Sequence, residues 1–439
     1  MNRTLEQRRA WARRRSLARR AGTWLLITVA GVVLCAGLPW LVWKGPYVLD
    51  AKYIDKTTIG NGTGSAALVT GLRTALVACV AALGAAIALL YTARNYRLTH
   101  RGQVTDRFTK ALERLGSTEV YVRIGGILAL EQIVQDAPEQ ATDAARVLGH
   151  FLRERAPRAR TIAESASPPE VGKSANPLPS EPAGDIQVAL TALTRPESRT
   201  HVDRREGIDL HGLHLMGANL GGADLTGANL GGATLTIADL GGATLTRANL
   251  GGATLTGADL RGVTLTGADL GGATLTRATL RGATLTDTNL GGATLIGADL
   301  RGVTLTDTNL GMATLTDADL DGADLTRAYL GDATLTGADL GGATLTRATL
   351  RGATLTDAKL GGATLTDADL RGATLTDAYL RGATLTGANL GGATLTRANL
   401  RRARLIGAHN LTQDQIDAAT VDAETTLPES LSGKPSKKT

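Results

Sequence analysis

From Ile208 to Leu405 the apolar positions recur every five residues: a leucine stands at Leu210, Leu215, Leu220 and each fifth place to Leu405, forty in all. Two residues before each leucine sits a small one, alanine in thirty-four of the forty units, the departures being Ile208, Leu213, Val263, Thr288, Val303 and Thr308. Helices repeat near 3.6 residues and strands near 2, so neither explains the pattern. A period of five predicts a turn-strand unit whose leucine and alanine point inward while the residues on either side of the leucine point out, four units closing one square coil. Thr288 and Thr308 are twenty apart, which stacks them in adjacent coils and predicts that their hydroxyls pair, because polar groups in a core need partners. Glycine fills the second position after every other leucine (Gly222, Gly232, Gly242), as expected at corners that strain other residues. Met312, Asp332 and Arg402 break that series, so the corner accepts a side chain.

The units Ala218-Asn219-Leu220-Gly221-Gly222 and Ala223-Asp224-Leu225-Thr226-Gly227, with their successors, resemble the pentapeptide-repeat proteins. The resemblance covers nearly half the chain and implies an all-β right-handed quadrilateral β-solenoid of about ten coils. At the usual inter-strand spacing such a rod is roughly 45 to 50 Å long.

Two uncharged runs precede it. Trp24 to Trp43 is long enough to cross a bilayer, with Trp24, Trp40 and Trp43 placed like an interfacial belt. The run is long for a cleavable signal, and no small-x-small site closely follows it. Thr74 to Tyr91 is the second run, in which Ala78, Ala82 and Ala86 have a spacing that permits close helix contact and admits a homodimer. Eight arginines lie between Met1 and Arg20, and Arg94, Arg97, Arg101 and Arg107 follow the second run, so the positive-inside bias predicts a hairpin with both ends cytoplasmic. The arginine tail also invites attraction to anionic headgroups.

The expected organisation is a basic cytoplasmic tail (1–22), a first transmembrane helix (23–43), an external loop (44–73), a second transmembrane helix (74–92) and an α-helical region (101–160). A disordered linker (161–184), an N-terminal cap (185–207), the solenoid (208–408) and a C-terminal cap helix with its tail (409–439) follow. In the helical region Val104, Phe108, Leu112 and Leu115 recur at helical spacing and stop at Gly116; it reads as a small packed spacer. The linker carries five prolines. Ile186, Leu190 and Leu193 form one side of a short helix placed to plug the first coil, and Thr412-Gln413-Asp414-Gln415 opens another at the far end, as a solenoid requires. This order resembles membrane-anchored pentapeptide-repeat proteins of high-GC Gram-positive bacteria.

The formal charge of +6 is uneven: residues 208–405 hold fifteen Lys/Arg against eighteen Asp, so the rod is slightly acidic and nucleic acid is not an expected partner. Cys35 and Cys79 form no zinc or disulfide framework. His211 and His214 fall on neighbouring faces and are expected to be solvated, and no glycine pair is followed by a phosphate-binding helix and lysine. No catalytic residue, cofactor or metal is expected, and the chain does not read as an enzyme.

What remains is the outer surface. Two opposite faces mostly read Ala-Thr-Leu-Thr. Of the other two, one presents Asp239, Asp259, Asp299, Asp319 and Asp339 beside Arg261, Arg281 and Arg301. Its opposite presents Asn229, Asn249, Asn289 and Asn309, neutral apart from Asp269, provided the frame never slips. These residues are the candidate interaction surface of a membrane-tethered scaffold for protein partners of unspecified identity. Two alternatives stand beside it. One is a DNA-mimic rod acting on an enzyme such as gyrase, as the resemblance to acidic pentapeptide rods implies. Against it, a duplex carries one charge per about 1.7 Å, far more than this rod. The other is water or ice binding by the threonine faces, although threonine is in any case a soluble β-former.

Overall fold

The computed structural model describes residues 63–159, 178–203 and 205–431, with scattered positions between 36 and 48. The expected first span and basic tail, residue 160, the linker residues 161–177 and the tail after Leu431 lie outside these residues, apart from those scattered positions. The chain divides into two units, Met1–Gln103 and Val104–Thr439.

The first helix, α1 (Thr63–Leu115), begins within the expected loop and runs without interruption through the expected gap between residues 92 and 101. The gap held no proline, and its one near neighbour that weakens a helix, Gly102, meets no crowding. Among the described residues, α1 alone is long and apolar enough to cross a membrane, within Arg73–Leu115. Its apolar side chains, Leu83, Ile87, Leu89 and Leu90 among them, are exposed.

In the second unit the repeats form a β-solenoid. Parallel bridges join each residue before a leucine to its counterpart twenty residues later, from Asp209↔Asn229 to Asn389↔His409, without a slip. The units are shorter than the expected strands: among the described residues each face is a ladder of one-residue bridges. The backbone explains why that suffices. In a typical coil Asp239 N–H donates to Ala218 O (2.9 Å), Leu220 N–H to Asp239 O (2.7 Å) and Gly222 N–H to Gly241 O (2.8 Å), while Ala223 N–H closes the corner on Leu220 O (3.1 Å). Four of the five N–H groups of each unit are thus bonded inside the backbone, three of them to the next or previous coil.

Leucine and alanine fill the interior, with Leu240 and Ala238 wholly buried as representatives. All forty second positions after the leucines take positive φ, and fifteen of them are not glycine, Ile237 (φ 52) and Met312 (φ 58) included. Left-handed backbone costs such residues about 1 kcal/mol each, which the coil-to-coil bonds on both sides override. Thr288 and Thr308 are buried as expected but do not pair. Their hydroxyls donate to Leu265 O (2.8 Å) and Leu285 O (2.6 Å) in the preceding coil, because an inward hydroxyl lies nearer the carbonyl of the turn beneath it than the next threonine.

The region set apart as a spacer is instead the larger part of the N-terminal cap. Helices α2 (Val120–Asp136), α3 (Ala141–Arg155) and α4 (Gly184–Thr194) share one apolar core with the coils, running from Val104 to Leu431. A buried ion pair, Arg123 Nε to Asp185 Oδ2 at 2.6 Å, ties α2 to α4, and Arg123 Nη1 also donates to Ser117 O and Thr118 O. Gln187 of α4 imitates a missing coil: its amide donates to Asn219 O (2.7 Å) and accepts from Asn219 N–H (3.0 Å). Thr194 O accepts from Asp224 N–H, and Pro157–Ala159 adds an antiparallel bridge, Arg158↔Leu213, to a third side.

At the other end α5 (Gln413–Asp417) is held by a capping box between Thr412 and Gln415. The Gln415 amide then donates to Leu390 O and Ala393 O, both at 2.8 Å. Beyond α5 the register finally slips, to Asn399↔Thr420 and Arg404↔Thr426. Open sheet ends template association, and both ends here are covered.

Candidate interaction faces of the solenoid

The residue before each leucine faces outward, and where it is Asp or Asn its side chain closes a turn. Oδ1 accepts from the N–H two residues on: Asp239 from Gly241 (2.9 Å), Asp259 from Arg261 (3.0 Å), Asn249 from Gly251 (3.0 Å), Asn309 from Gly311 (3.0 Å). This Asx turn bonds the fifth N–H of the unit, the one that the backbone leaves over. Asp and Asn therefore recur for a reason that neither charge nor a partner supplies.

The unbroken register places the candidate residues as expected. Asp239, Asp259, Asp299, Asp319 and Asp339 lie in one column, interrupted by Thr279, and Asn229, Asn249, Asn289 and Asn309 lie in another with Asp269 between them. In the second column the amides bond from coil to coil: Asn249 Nδ2 to Asn229 Oδ1 (3.1 Å), Asn289 to Asp269 (2.7 Å), Asn309 to Asn289 (2.9 Å). The acidic column carries its own counterions. Arg261 closes on Asp259, and Arg301 spans Asp299 (2.5 Å) and Asp319 (3.3 Å). The guanidinium hydrogen bonds hold Asp259 and Asp299 below the usual carboxylate range. Arg281 stands beside Thr279 and contributes only its field at Asp299.

Past Asp339 the division into a charged and a neutral face ends. Lys359 takes the next place in the acidic column and reaches Asp339 (3.3 Å), followed by Tyr379, while the Asn column acquires Tyr329, Thr349 and Asp369, the last paired with Arg371. Corner residues pair from coil to coil as well: Arg327 with Asp307, and Arg397 with Asp377 (2.5 Å). The Tyr329 side chain lies over Gly311 and Gly331, where a Cβ would meet its Cε1 at 2.6 Å and its phenol oxygen at 2.5 Å. The candidate surface read from the sequence includes neither tyrosine; the glycines preceding and following Tyr329 were the available signal.

No group of His, Cys, Asp and Glu among the described residues could hold a metal. His214 is not solvated as expected: it is buried under the chain, with Nε2 2.8 Å from Pro179 O. A groove between α3 and the first coil is lined by Arg146, Arg153, Glu206 and Asp209, whose charges close on one another as Arg146–Glu206 (2.9 Å) and Arg153–Asp209 (3.0 Å). Its acidic groups are thus paired with the arginines beside them.

These faces define a repeat protein that presents ladders rather than a site. A family model described as pentapeptide repeats matches in eight overlapping copies, from residues 206–242 through 373–412. The chain belongs to the pentapeptide-repeat family. It is 39% identical to HetL, a pentapeptide repeat protein involved in heterocyst differentiation regulation from the cyanobacterium Nostoc sp. strain PCC 7120, over 46% of this chain and 84% of that one, with a TM-score of 0.26. A pentapeptide repeat protein of the Arabidopsis thaliana thylakoid lumen is 35% identical over 24% of this chain and 68% of that one, with a TM-score of 0.13. QnrB1, a plasmid-mediated fluoroquinolone resistance protein, is 18% identical over 40% and 90%, with a TM-score of 0.37. No curated protein matches the chain.

Proposed function

We propose that this protein is a non-enzymatic scaffold: a solenoid that offers ladder faces to protein partners, held at the inner side of a membrane by a two-span hairpin with both termini cytoplasmic. The observation that carries the reading is the repeated outward array of Asp, Asn and Arg, many of them paired along or between coils, on a rod that has no metal-holding cluster among the described residues. Regular arrays of this kind suit an extended protein surface better than a small substrate. Self-neutralised carboxylates likewise suit a protein partner better than imitation of a duplex.

The test changes charge while keeping the turns. Asp239, Asp259, Asp299, Asp319 and Asp339 are replaced by Asn in the full chain, which retains the Oδ1 acceptor of each Asx turn. Partners are then captured from detergent-solubilised membranes. Loss of the captured proteins with an unchanged melting temperature supports the reading; identical capture overturns the role of this face. Orientation has its own test, in a variant lacking Cys35 and Cys79. A cysteine at Ser65 reacts with an impermeant maleimide on whole cells and one at Ser436 does not, and labelling at Ser436 overturns the cytoplasmic placement.

A further inference from the structure

Two sets of cationic side chains on α1 differ in their partners. Toward its C-terminus Arg107 pairs with Asp136 (3.1 Å) and Lys110 with Asp106 (2.8 Å). Next to the apolar stretch, Arg94 and Arg97 have no acidic partner among the described residues and share one exposed face of α1 with Leu90, Ala93 and Leu98. Three residues apart on a helix, the two arginines stand on one face with an axial offset of about 4.5 Å, within reach of one phosphate. Leu90, 72% exposed, precedes them at the end of the apolar stretch, and Leu98, 57% exposed, follows them, so the face is apolar on the bilayer side and cationic next to it. Tyr91 is exposed at the same level, and the Tyr96 ring stacks on His100 with centroids 6.2 Å apart, aromatic groups of the kind that settle at headgroup depth.

We infer that Arg94 and Arg97 hold the phosphate of an anionic phospholipid whose acyl chain lies along Leu90. Charge complementarity and the exposed apolar run of α1 that ends at this face select a lipid over a soluble anion. Guanidinium groups bind a phosphate through paired hydrogen bonds that an ammonium does not reproduce. The inference rests on the membrane reading above and adds a ligand to it.

The experiment purifies the full chain in nanodiscs of mixed phosphatidylcholine and phosphatidylglycerol and measures the enrichment of phosphatidylglycerol that stays with the protein after transfer to detergent. The intact chain retains it. Arg94→Gln with Arg97→Gln lowers retention roughly thirtyfold, and Arg94→Lys with Arg97→Lys lowers it part of the way although charge and orientation persist. Equal retention in all three overturns the inference and leaves the membrane reading standing. Competition by millimolar inorganic phosphate as effective as that by the lipid also overturns it, in favour of a plain anion site. Release of the intact chain from membranes by alkaline carbonate overturns the membrane reading itself, and the lipid site with it.

Discussion

The coils and the caps solve the same problem in opposite ways. Within the ladder each backbone bond has dozens of equivalents, so Leu220 N–H to Asp239 O reappears as Leu300 N–H to Asp319 O with no change in length. At the ends each bond is made once, by a residue that has no counterpart: Gln187 at Asn219, Gln415 at Leu390 and Ala393, and the buried Arg123–Asp185 pair that fixes α4 over the first coil. Redundancy protects the middle of the rod, whereas each end depends on cap contacts that have no duplicate. In a quasi-one-dimensional protein, where each repeat touches only its neighbours, opening should therefore begin at a cap.

The largest effect is expected from Asp185→Ala. It leaves Arg123 buried without its carboxylate, and breaking a buried pair in this way costs roughly 3–5 kcal/mol. Denaturant titration of the full chain in detergent should show the N-terminal half unfolding first. Leu300→Ala in the middle of the ladder opens a cavity costing about 3 kcal/mol, yet the coils on both sides should stay folded, so its signature is a lowered midpoint without an early phase.

How much of this contrast the sequence carries depends on the range over which the chain repeats itself. The leucine frame and the alignment of Asp239 with Asp259 follow from period five alone, since every coil restates them. The cap does not repeat. Its ion pair joins residues sixty-two positions apart, and neither Arg123 nor Asp185 differs in sequence from a solvated residue. For that reason α2 and α3 read as a spacer. Period five also turns the Asp and Asn positions outward, yet it hides their first role. One residue type carries both a charge and a turn-closing acceptor, and composition displays only the charge. The Thr288 and Thr308 hydroxyls were likewise placed in adjacent coils, but their carbonyl acceptors are backbone atoms that no side-chain pattern announces.

Smaller effects sharpen the comparison inside the ladder. Ile237 is a β-branched residue in left-handed backbone, half exposed at a corner where glycine is usual; Ile237→Gly should raise stability by about 1 kcal/mol, read as a higher denaturation midpoint. The smallest effect is on pH. Asp259, Asp299 and Asp369 titrate below their ordinary value because Arg261, Arg301 and Arg371 hydrogen-bond to them. A carboxylate lowered on folding stabilises the fold above its unfolded value of about 3.9 and ceases to do so as pH falls through the lower folded value. These pairs are exposed, so a slight fall in melting temperature below about pH 4 is expected, weakened further by salt. A fall centred near neutral pH would assign the dependence to other groups.

Hydrogen exchange on the full chain tests most directly the claim that the caps, and not the coils, set where the rod opens. In the intact protein the leucine amides from Leu230 to Leu380 should be protected to one common level, with protection declining only toward the two ends. Asp185→Ala should strip protection from Leu210, Leu215 and Leu220 onward in a graded front while leaving Leu380 unchanged, and Leu300→Ala should lower protection around its own coil alone. Uniform loss along the whole ladder in Asp185→Ala, or a front that starts at Leu300, would contradict the account.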